Sequence, residues 1–334
     1  MRPPRAPRSL AATALATIVV AGVPLAGGVR TGGRGVAAAD AAPAATPAVP
    51  TTDEAARREL DALLRSHRVS QRSRRLLTAR AEWGLYAVRR SGAGVSRLGG
   101  PALLPRGTRW PVRRGRPLTF VAAIALDELP PFPDRQLLPA DGTLLFFAAM
   151  EKLWEPASGN RPGGPLRVLH VPTGTPLDRA RAPKPTRPRP PDAYPVGMRA
   201  FPVAFRPKLT LLDPVLAGFD RTIRLGPRDA RAYERASRTW DDRWGVPPWP
   251  AEDDLDEDTE RQLDAASQSW NQILGIPVTS QDDPRDRGQV ALLTVIPYTI
   301  GGDFLDGGDV SFVIGRRDLR ARRWSRISVV PSSS

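Results

Sequence analysis

An apolar strand pattern that occurs twice limits the folds open to this chain of 334 residues. In the first copy, the apolar run 118–126 leads through an Asp-Gly turn to a second apolar run at 143–148; in the other copy the runs are 290–296 and 310–314. The second runs also match letter by letter, as Gly142-x-Leu144-x-Phe146-Phe147 and Gly308-x-Val310-x-Phe312-Val313. The repeat predicts two strand–loop–strand units of common origin. Chance similarity between two hairpins is the alternative.

Amphipathic runs outside these units predict helices. Residues 53–67 begin with acidic side chains after a threonine and place leucines on one face, and residues 71–82 and 227–244 show similar patterns. An acidic run at 252–260 predicts a further helix that reaches about Leu274. We therefore expect an α+β fold: a mixed β-sheet core from two duplicated strand–loop–strand units, with packed helices.

The first residues have the composition of an export signal. Three arginines precede the apolar, charge-free stretch 10–25, and small residues at 37–44 offer cleavage points. We expect an export signal peptide at 1–39, with an uncleaved membrane anchor as the alternative. A Pro/Ala linker at 40–51 and one domain at 52–330 then follow. The expected location is secreted or extracytoplasmic, or membrane-anchored through the N-terminus.

Basic residues exceed acidic ones by 49 to 35, a formal charge of +14. Part of the excess lies in a basic, proline-rich loop at 178–192 and part in the short arginine-rich segment 316–326. An exported basic protein meets anionic wall polymers or lipid surfaces, so these are the expected partners of a monomer, and no nucleic acid is expected. The alternative is a solvated charged surface. The candidate anion-binding residues are Arg179, Arg181, Lys184, Arg187, Arg189, Arg316, Arg317 and Arg320, together with Arg322, Arg323 and Arg326 of the same C-terminal segment.

Motifs for catalysis are scarce. The chain has no cysteine and only two histidines, His67 and His170. It also lacks the G-x-S-x-G nucleophile elbow, the H-E-x-x-H zinc-binding helix and the glycine-rich nucleotide-binding motifs. Asp241 and Asp242, close in sequence to three tryptophans, could take part in glycoside hydrolysis, although such tryptophans more often pack a core. We therefore assign no catalytic residue and no cofactor, and lean towards a protein that is not an enzyme.

One loop is rich in hard oxygen ligands. Asp303, Asp306 and Asp309 lie in the sequence GGDFLDGGD, and carboxylates at such spacing suit calcium. The alternative is an ordinary hairpin turn, because Asp-Gly pairs are also common turn residues. These three residues are the metal-site candidates.

Four stretches, at 96–111, 117–147, 272–281 and 306–319, together resemble the YwqG-like family of bacterial proteins. The resemblance covers most of residues 85–328 and implies a mixed α+β fold, but no reaction, because the family's function is unknown. Its motif positions here are Gly99, Gly100, Pro101, Trp110, Pro111, Gly142, Gly275, Pro277, Gln281 and Gly308.

The chain departs from the family at one pair of positions. Strands of the family typically carry Gln and, two residues later, Asp. Here those positions hold Ala123 and Ala125 in one unit, and Thr294 and Ile296 in the other. Any activity that needs the polar pair is therefore expected to be missing.

The sequence as a whole predicts an exported, non-catalytic binding or interaction protein at the cell envelope. Its two arginine-rich segments suggest an anionic surface as the partner. One alternative is a carboxylate-based hydrolase of cell-wall glycans. Another is a toxin-protection protein of the immunity type.

Overall fold

The computed structural model describes residues 50, 52–150, 157–186, 198–214, 223–246, 269–279, 283–296, 299 and 308–332. The chain divides into two compact units, Met1–Pro47 and Ala48–Ser334, and every described residue belongs to the second. The predicted export signal lies outside the described residues, as does the linker apart from residue 50. The same holds for Arg187, Arg189, Trp249, Gln281, Asp303 and Asp306. Within the described ranges, no helix has the length and apolar character needed to cross a bilayer.

The helices with described bounds are α1 (Asp53–Ser66), α2 (Gln71–Arg80), α3 (Pro227–Arg243) and the short α4 (Arg316–Arg320). Helix α1 begins where the side chain of Thr52 accepts a hydrogen bond from the amide of Ala55, and it buries a leucine face against the core. Asp229, in the first turn of α3, accepts hydrogen bonds from two serines at the start of α2. The predicted helices at 53–67, 71–82 and 227–244 are confirmed to within one or two residues.

The strands are β1 (Glu82–Arg89), β2 (Arg97–Leu98), β3 (Leu103–Pro105), β4 (Val112–Arg113), β5 (Arg116–Pro117), β6 (Thr119–Ala125), β7 (Thr143–Ala148), β8 (Ala157–Ser158), β9 (Leu166–Val171), β10 (Leu177–Arg179), β11 (Phe201–Thr210), β12 (Gln272–Leu274), β13 (Gln289–Val295), β14 (Asp309–Gly315) and β15 (Ser328–Ser332). Eleven of them form one sheet in the order β8-β15-β14-β13-β12-β1-β11-β2-β6-β7-β9. Every pairing between these described strands is antiparallel.

The two edges of this sheet come together, so that it is almost closed into a barrel. Asn160, two residues after β8, forms a bridge with Leu166 at the start of β9. The side chain of Asn160 accepts a hydrogen bond from the amide of Val168 (2.9 Å) and donates to the carbonyls of Val168 (3.1 Å) and Trp324 (2.8 Å). A single side chain therefore links β9 to the segment that precedes β15.

The expected α+β class is wrong. The described chain is dominated by one near-closed antiparallel sheet with few helices, rather than by a mixed sheet with packed helices. Parallel neighbours need a crossover of a dozen or more residues, usually a helix, whereas a short turn returns the chain antiparallel. The helix predicted to reach Leu274 is also wrong at its end, because Gln272–Leu274 is strand β12.

The four strands that follow on each side of the central β1–β11 pair correspond in position: β12-β13-β14-β15 on one side and β2-β6-β7-β9 on the other. The hairpins β6–β7 and β13–β14 therefore occupy corresponding places. Each has a register shift in its first strand, beside Val121 and Leu292 respectively. Phe146 and Phe312, which match in the sequence repeat, meet across the interior with ring centroids 5.1 Å apart.

Alternate residues of β7 point to two hydrophobic clusters, one on each face of the sheet. The larger cluster fills the interior and extends beneath α1 and α3. The smaller one lies on the outer face of β6, β7 and β9, where residues 102–118 and β10 cover it. This outer cover brings Trp110 to the rim of β9 and so positions the site described next.

Candidate functional site

Two neighbouring clefts form a basic groove along the outer side of β9. One, of about 300 Å³, lies between residues 108–112, the turn at 161–164 and β9. The other, of about 490 Å³, lies between β9 and residues 322–325. The clefts share Arg167 and Leu169, so they adjoin. We call this surface the β9 groove, and its charged and aromatic lining residues are Arg109, Trp110, Arg161, Arg167, His170, Arg322, Arg323 and Trp324.

Strand alternation turns Arg167 into the groove. Leu166 and Val168 are buried in the interior cluster, so the residues between and after them face outward. Leu169 packs against the outer cluster beside Arg167. The sequence Leu-Arg-Val-Leu therefore fixes both the strand and the direction of its arginine.

The Trp110 indole is held on the groove wall by two contacts. Its N–H donates to the carbonyl of Leu118 (2.9 Å), and its ring meets Phe147 edge-on with centroids 5.4 Å apart. The chain enters this segment through Gly99 and Gly100, which have φ of 58° and 75°. A Cβ at Gly100 would lie 2.6 Å from Cβ of Ala200, so the glycine is required by a close approach of two segments.

In the second cleft, the wall that faces β9 is built around Trp324. Its ring centroid lies 6.0 Å from that of His170, whose Nε2 is 3.0 Å from the carbonyl oxygen of Asp141. Arg322 donates to the carbonyls of Leu137 and Leu138, and burial together with a neighbouring arginine charge lowers its pKa. The guanidinium of Arg322 is thus fixed by backbone acceptors.

The groove has a strongly positive lining. Five arginines and no Asp or Glu are found among its described lining residues. Arg323 forms an ion pair with Asp318 (3.1 Å), whereas Arg109, Arg161 and Arg167 form none within the described part of the chain. A guanidinium offers a planar fork of donors to phosphate or carboxylate, and an indole offers a face for a sugar ring. The groove can therefore bind an anionic glycan.

Of the anion-binding residues predicted from the sequence, Arg322 and Arg323 line the β9 groove, and the other described candidates lie outside it. Arg179 is the last residue of β10, and Arg181 and Lys184 are exposed beyond that strand. On α4, Arg317 and Arg320 are exposed, and Arg316 lies 3.6 Å from an Asp134 oxygen. No hydrogen bond or ion pair joins the β10 group to the α4 group within the described ranges. Arg109, Arg161 and Arg167 were not predicted from the sequence, although the alternation of β9 indicates that the last of them faces outward.

The calcium candidate is described only in part. Asp309 is buried at the start of β14, where its carboxylate accepts a hydrogen bond from Ser311 (3.2 Å), and the other two aspartates lie outside the described residues. In the described part of the chain, no group of three or more His, Asp or Glu side chains is arranged to hold a metal ion.

The two carboxylates considered for glycoside hydrolysis, Asp241 and Asp242, lie in different environments. Asp241 forms an ion pair with Lys208, while Asp242, the next residue of α3, is exposed. Trp240 and Trp244 are buried and contact each other with centroids 5.7 Å apart. These two rings pack the core and offer no platform to a sugar.

Two further motif glycines have a backbone role. Gly142 has a φ of 89°, and a Cβ there would lie 2.5 Å from the carbonyl oxygen of Val171. Gly275 has a φ of 71°, and its Cβ would lie 2.7 Å from Oγ1 of Thr210. Their presence in the motif is thus explained by chain geometry rather than by chemistry.

The fold and the groove together define a class: a near-closed antiparallel sheet protein with a basic external groove. The model of a family described as a domain of unknown function, DUF1963, matches residues 96–330, which is more than half of the chain. The chain therefore belongs to the DUF1963 family, and all lining residues of the β9 groove lie within the match. No curated protein matches the sequence.

Proposed function

We propose that this protein is a non-catalytic binding protein whose β9 groove holds an anionic glycan polymer at the cell envelope. The observation that carries the proposal is the lining of the groove, with five arginines and no acidic residue among its described members. The envelope location rests on the predicted export signal. Within the DUF1963 family, the four sequence stretches described above support a YwqG-like assignment.

The shape of the groove favours a polymer. Its two concave clefts adjoin at Arg167, so a linear chain can contact both, whereas a flat lipid surface cannot enter them. Trp110 lines one cleft and Trp324 the other, so sugar rings of the same polymer could contact both. Such recognition combines salt-dependent ion pairs with salt-independent stacking.

Affinity measurements on arginine variants test the groove. The probes are poly(glycerol phosphate), polygalacturonate as a carboxylate polymer, and neutral dextran, each titrated by calorimetry into the full chain over a series of NaCl concentrations. The double variant Arg161→Ala/Arg167→Ala is expected to bind the anionic probes at least about tenfold more weakly and with a shallower salt dependence.

A matched control removes the same charge elsewhere. Arg231 and Arg235 are exposed on α3 and line neither cleft, so Arg231→Ala/Arg235→Ala should retain the affinity of the unmodified chain. Equal losses in the two double variants would show that only net charge matters and would overturn the groove proposal. Binding that does not respond to salt, or equal binding of dextran, would also overturn it.

The envelope location has a separate test. Mass measurement of the protein recovered from cell fractions should find a chain that lacks the predicted signal, outside the cytoplasm. Recovery of the chain with Met1 attached, dissolved among cytosolic proteins, would remove the envelope from the proposal. The arginine variants would still decide whether the groove binds polyanions.

A further inference from the structure

A small pocket with apolar walls and a few polar side chains lies beside α3, apart from the β9 groove. It encloses about 130 Å³ where β1, β11, α3 and residues 269–278 meet. None of its described lining residues lines either cleft of the groove. The ligand of this pocket is therefore independent of the ligand proposed for the β9 groove.

The pocket contains a neutralised ion pair. The Lys208 ammonium lies 2.5 Å from Oδ1 of Asp241, and the two side chains are 11% and 41% exposed. An ammonium has three N–H donors, so Lys208 keeps donors for a ligand after this contact. Asp213 also belongs to the lining, whose described residues thus include one cationic and two anionic side chains; an anionic ligand gains no net attraction there, whereas hydroxyl groups can donate to the carboxylates.

Gln272 supplies an acceptor. Its side chain is almost fully buried, with the residue 2% exposed, and its amide nitrogen donates to the carbonyl of Ile276 (2.6 Å). No described residue donates to its Oε1, and a pocket-lining acceptor of this kind requires a partner from water or ligand.

The wall of the pocket is built by an unusual turn. Leu274 and Gly275 both have positive φ, 58° and 71°, and the turn is fixed by a hydrogen bond from the amide of Ile276 to Oγ1 of Thr210 (2.7 Å). The turn brings Ile276 and Pro277 to the pocket as apolar wall. A positive φ is uncommon for a residue other than glycine, so Leu274 indicates a backbone held by its surroundings.

The size of the pocket suits one ring. The pocket is open, and its volume of about 130 Å³ is somewhat less than the roughly 150 Å³ of a closed cavity that holds benzene, so a six-membered ring can enter with one edge left outside. Trp270 contributes an aromatic side chain to the lining. Donors on Lys208 and acceptors on Gln272 and Asp241 match neighbouring hydroxyl groups, because each hydroxyl both donates and accepts.

We infer that this pocket binds one neutral, polyhydroxylated ring of monosaccharide size. The hydroxyls of the ring bridge the Lys208–Asp241 pair and Oε1 of Gln272. This assignment is independent of the β9 groove, since the two sites share no described residue.

Ligand-observed saturation-transfer NMR on the full chain tests the inference. The probes are glucose, galactose, mannose and N-acetylglucosamine, with glycine and glucuronate as charged comparisons. At least one neutral sugar is expected to bind at concentrations up to about 10 mM, more tightly than either charged probe. Failure of all four neutral sugars, or tighter binding of glycine or glucuronate, would overturn the inference.

Two adjacent carboxylates provide a matched pair of variants. Asp241→Asn is expected to weaken sugar binding at least about tenfold, because a charged acceptor is lost. Asp242→Asn, which changes the exposed neighbour, should leave binding unchanged, as should the groove variant Arg161→Ala/Arg167→Ala. Equal effects of the two aspartate variants would contradict the assignment.

Hydrogen exchange of the unmodified chain gives a readout that does not depend on a variant folding. Addition of the sugar that binds is expected to slow amide exchange in residues 269–278 and in α3. Protection confined to other segments would place the sugar elsewhere and would overturn the inference.

Discussion

Replacement of Asn160 by alanine is expected to separate the two edges of the sheet while the centre stays folded. Asn160 is 5% exposed, and its side chain makes the three hydrogen bonds that join β9 to the segment before β15. Beyond these bonds, the backbone bridge from Asn160 to Leu166 and the ring contact of His170 with Trp324 join the two edges, and the edge strand β8 is only two residues long. The change should therefore act locally.

The magnitude follows from the groups left behind. Alanine removes the partners of the amide and the carbonyl of Val168 and of the carbonyl of Trp324. A buried backbone group without a partner costs about 1–3 kcal/mol, and water in the adjoining cleft can reach some of these groups. We expect a loss of about 3 kcal/mol in the free energy of opening the seam, which is on the order of a hundredfold in the opening equilibrium.

Amide hydrogen exchange measured by mass spectrometry is the direct assay. Peptides from residues 157–171 should exchange on the order of a hundredfold faster in Asn160→Ala, while peptides from β1 and β11 keep their rates. Ser325→Ala, at an exposed residue of the same cleft, is the control and should change neither. Unchanged exchange at 157–171, or equal acceleration in β1 and β11, would refute the role of Asn160 as the link.

Two further predictions concern stability. Burial alone raises the pKa of Glu128, but hydrogen bonds from Val95 and Ser96 outweigh burial, so the pKa lies below its ordinary value. The ionised side chain therefore stabilises the fold above about pH 4.3, and this stabilisation is lost as the pH falls through the folded-state pKa. Glu128→Gln should therefore cost about 1–3 kcal/mol in urea unfolding at pH 7 and much less near pH 3; an equal loss at both would contradict this. Gly142→Ala should lower the melting temperature more than Gly174→Ala, because both have positive φ but only the first Cβ meets another atom within 4 Å; equal shifts would contradict the steric argument.

Local patterns in the sequence predicted individual elements better than their arrangement. The apolar runs at 118–126, 143–148 and 290–296 are strands because apolar side chains and flanking turn residues act over a few positions. The pairing of β1 with β12, and of β11 with β2, joins segments far apart in the chain. No local pattern specifies such pairing, and it decided the fold class.

The candidate site was only partly predictable for the same reason. The alternation of β9 shows that Arg167 faces away from the interior, and Trp110 belongs to a motif that the sequence displays. Arg109, Arg161 and Arg322 come from three separate segments that meet only when the sheet closes through Asn160. Charge clusters along the sequence pointed to Arg322 and Arg323, which line the groove, but also to other described arginines that lie outside it.

The two halves of the sheet match inside and differ outside, and this contrast points to where function lies. Phe146 and Phe312 contribute to one shared interior, so a change in either half disturbs both. The outer faces carry no such restriction. Ala123 and Leu145 lie under the apolar cover that carries Trp110, whereas the corresponding Thr294 and Ser311 are buried with their hydroxyl oxygens 2.9 Å apart. Binding specificity can therefore reside in the outer layers, and the β9 groove lies on one of them.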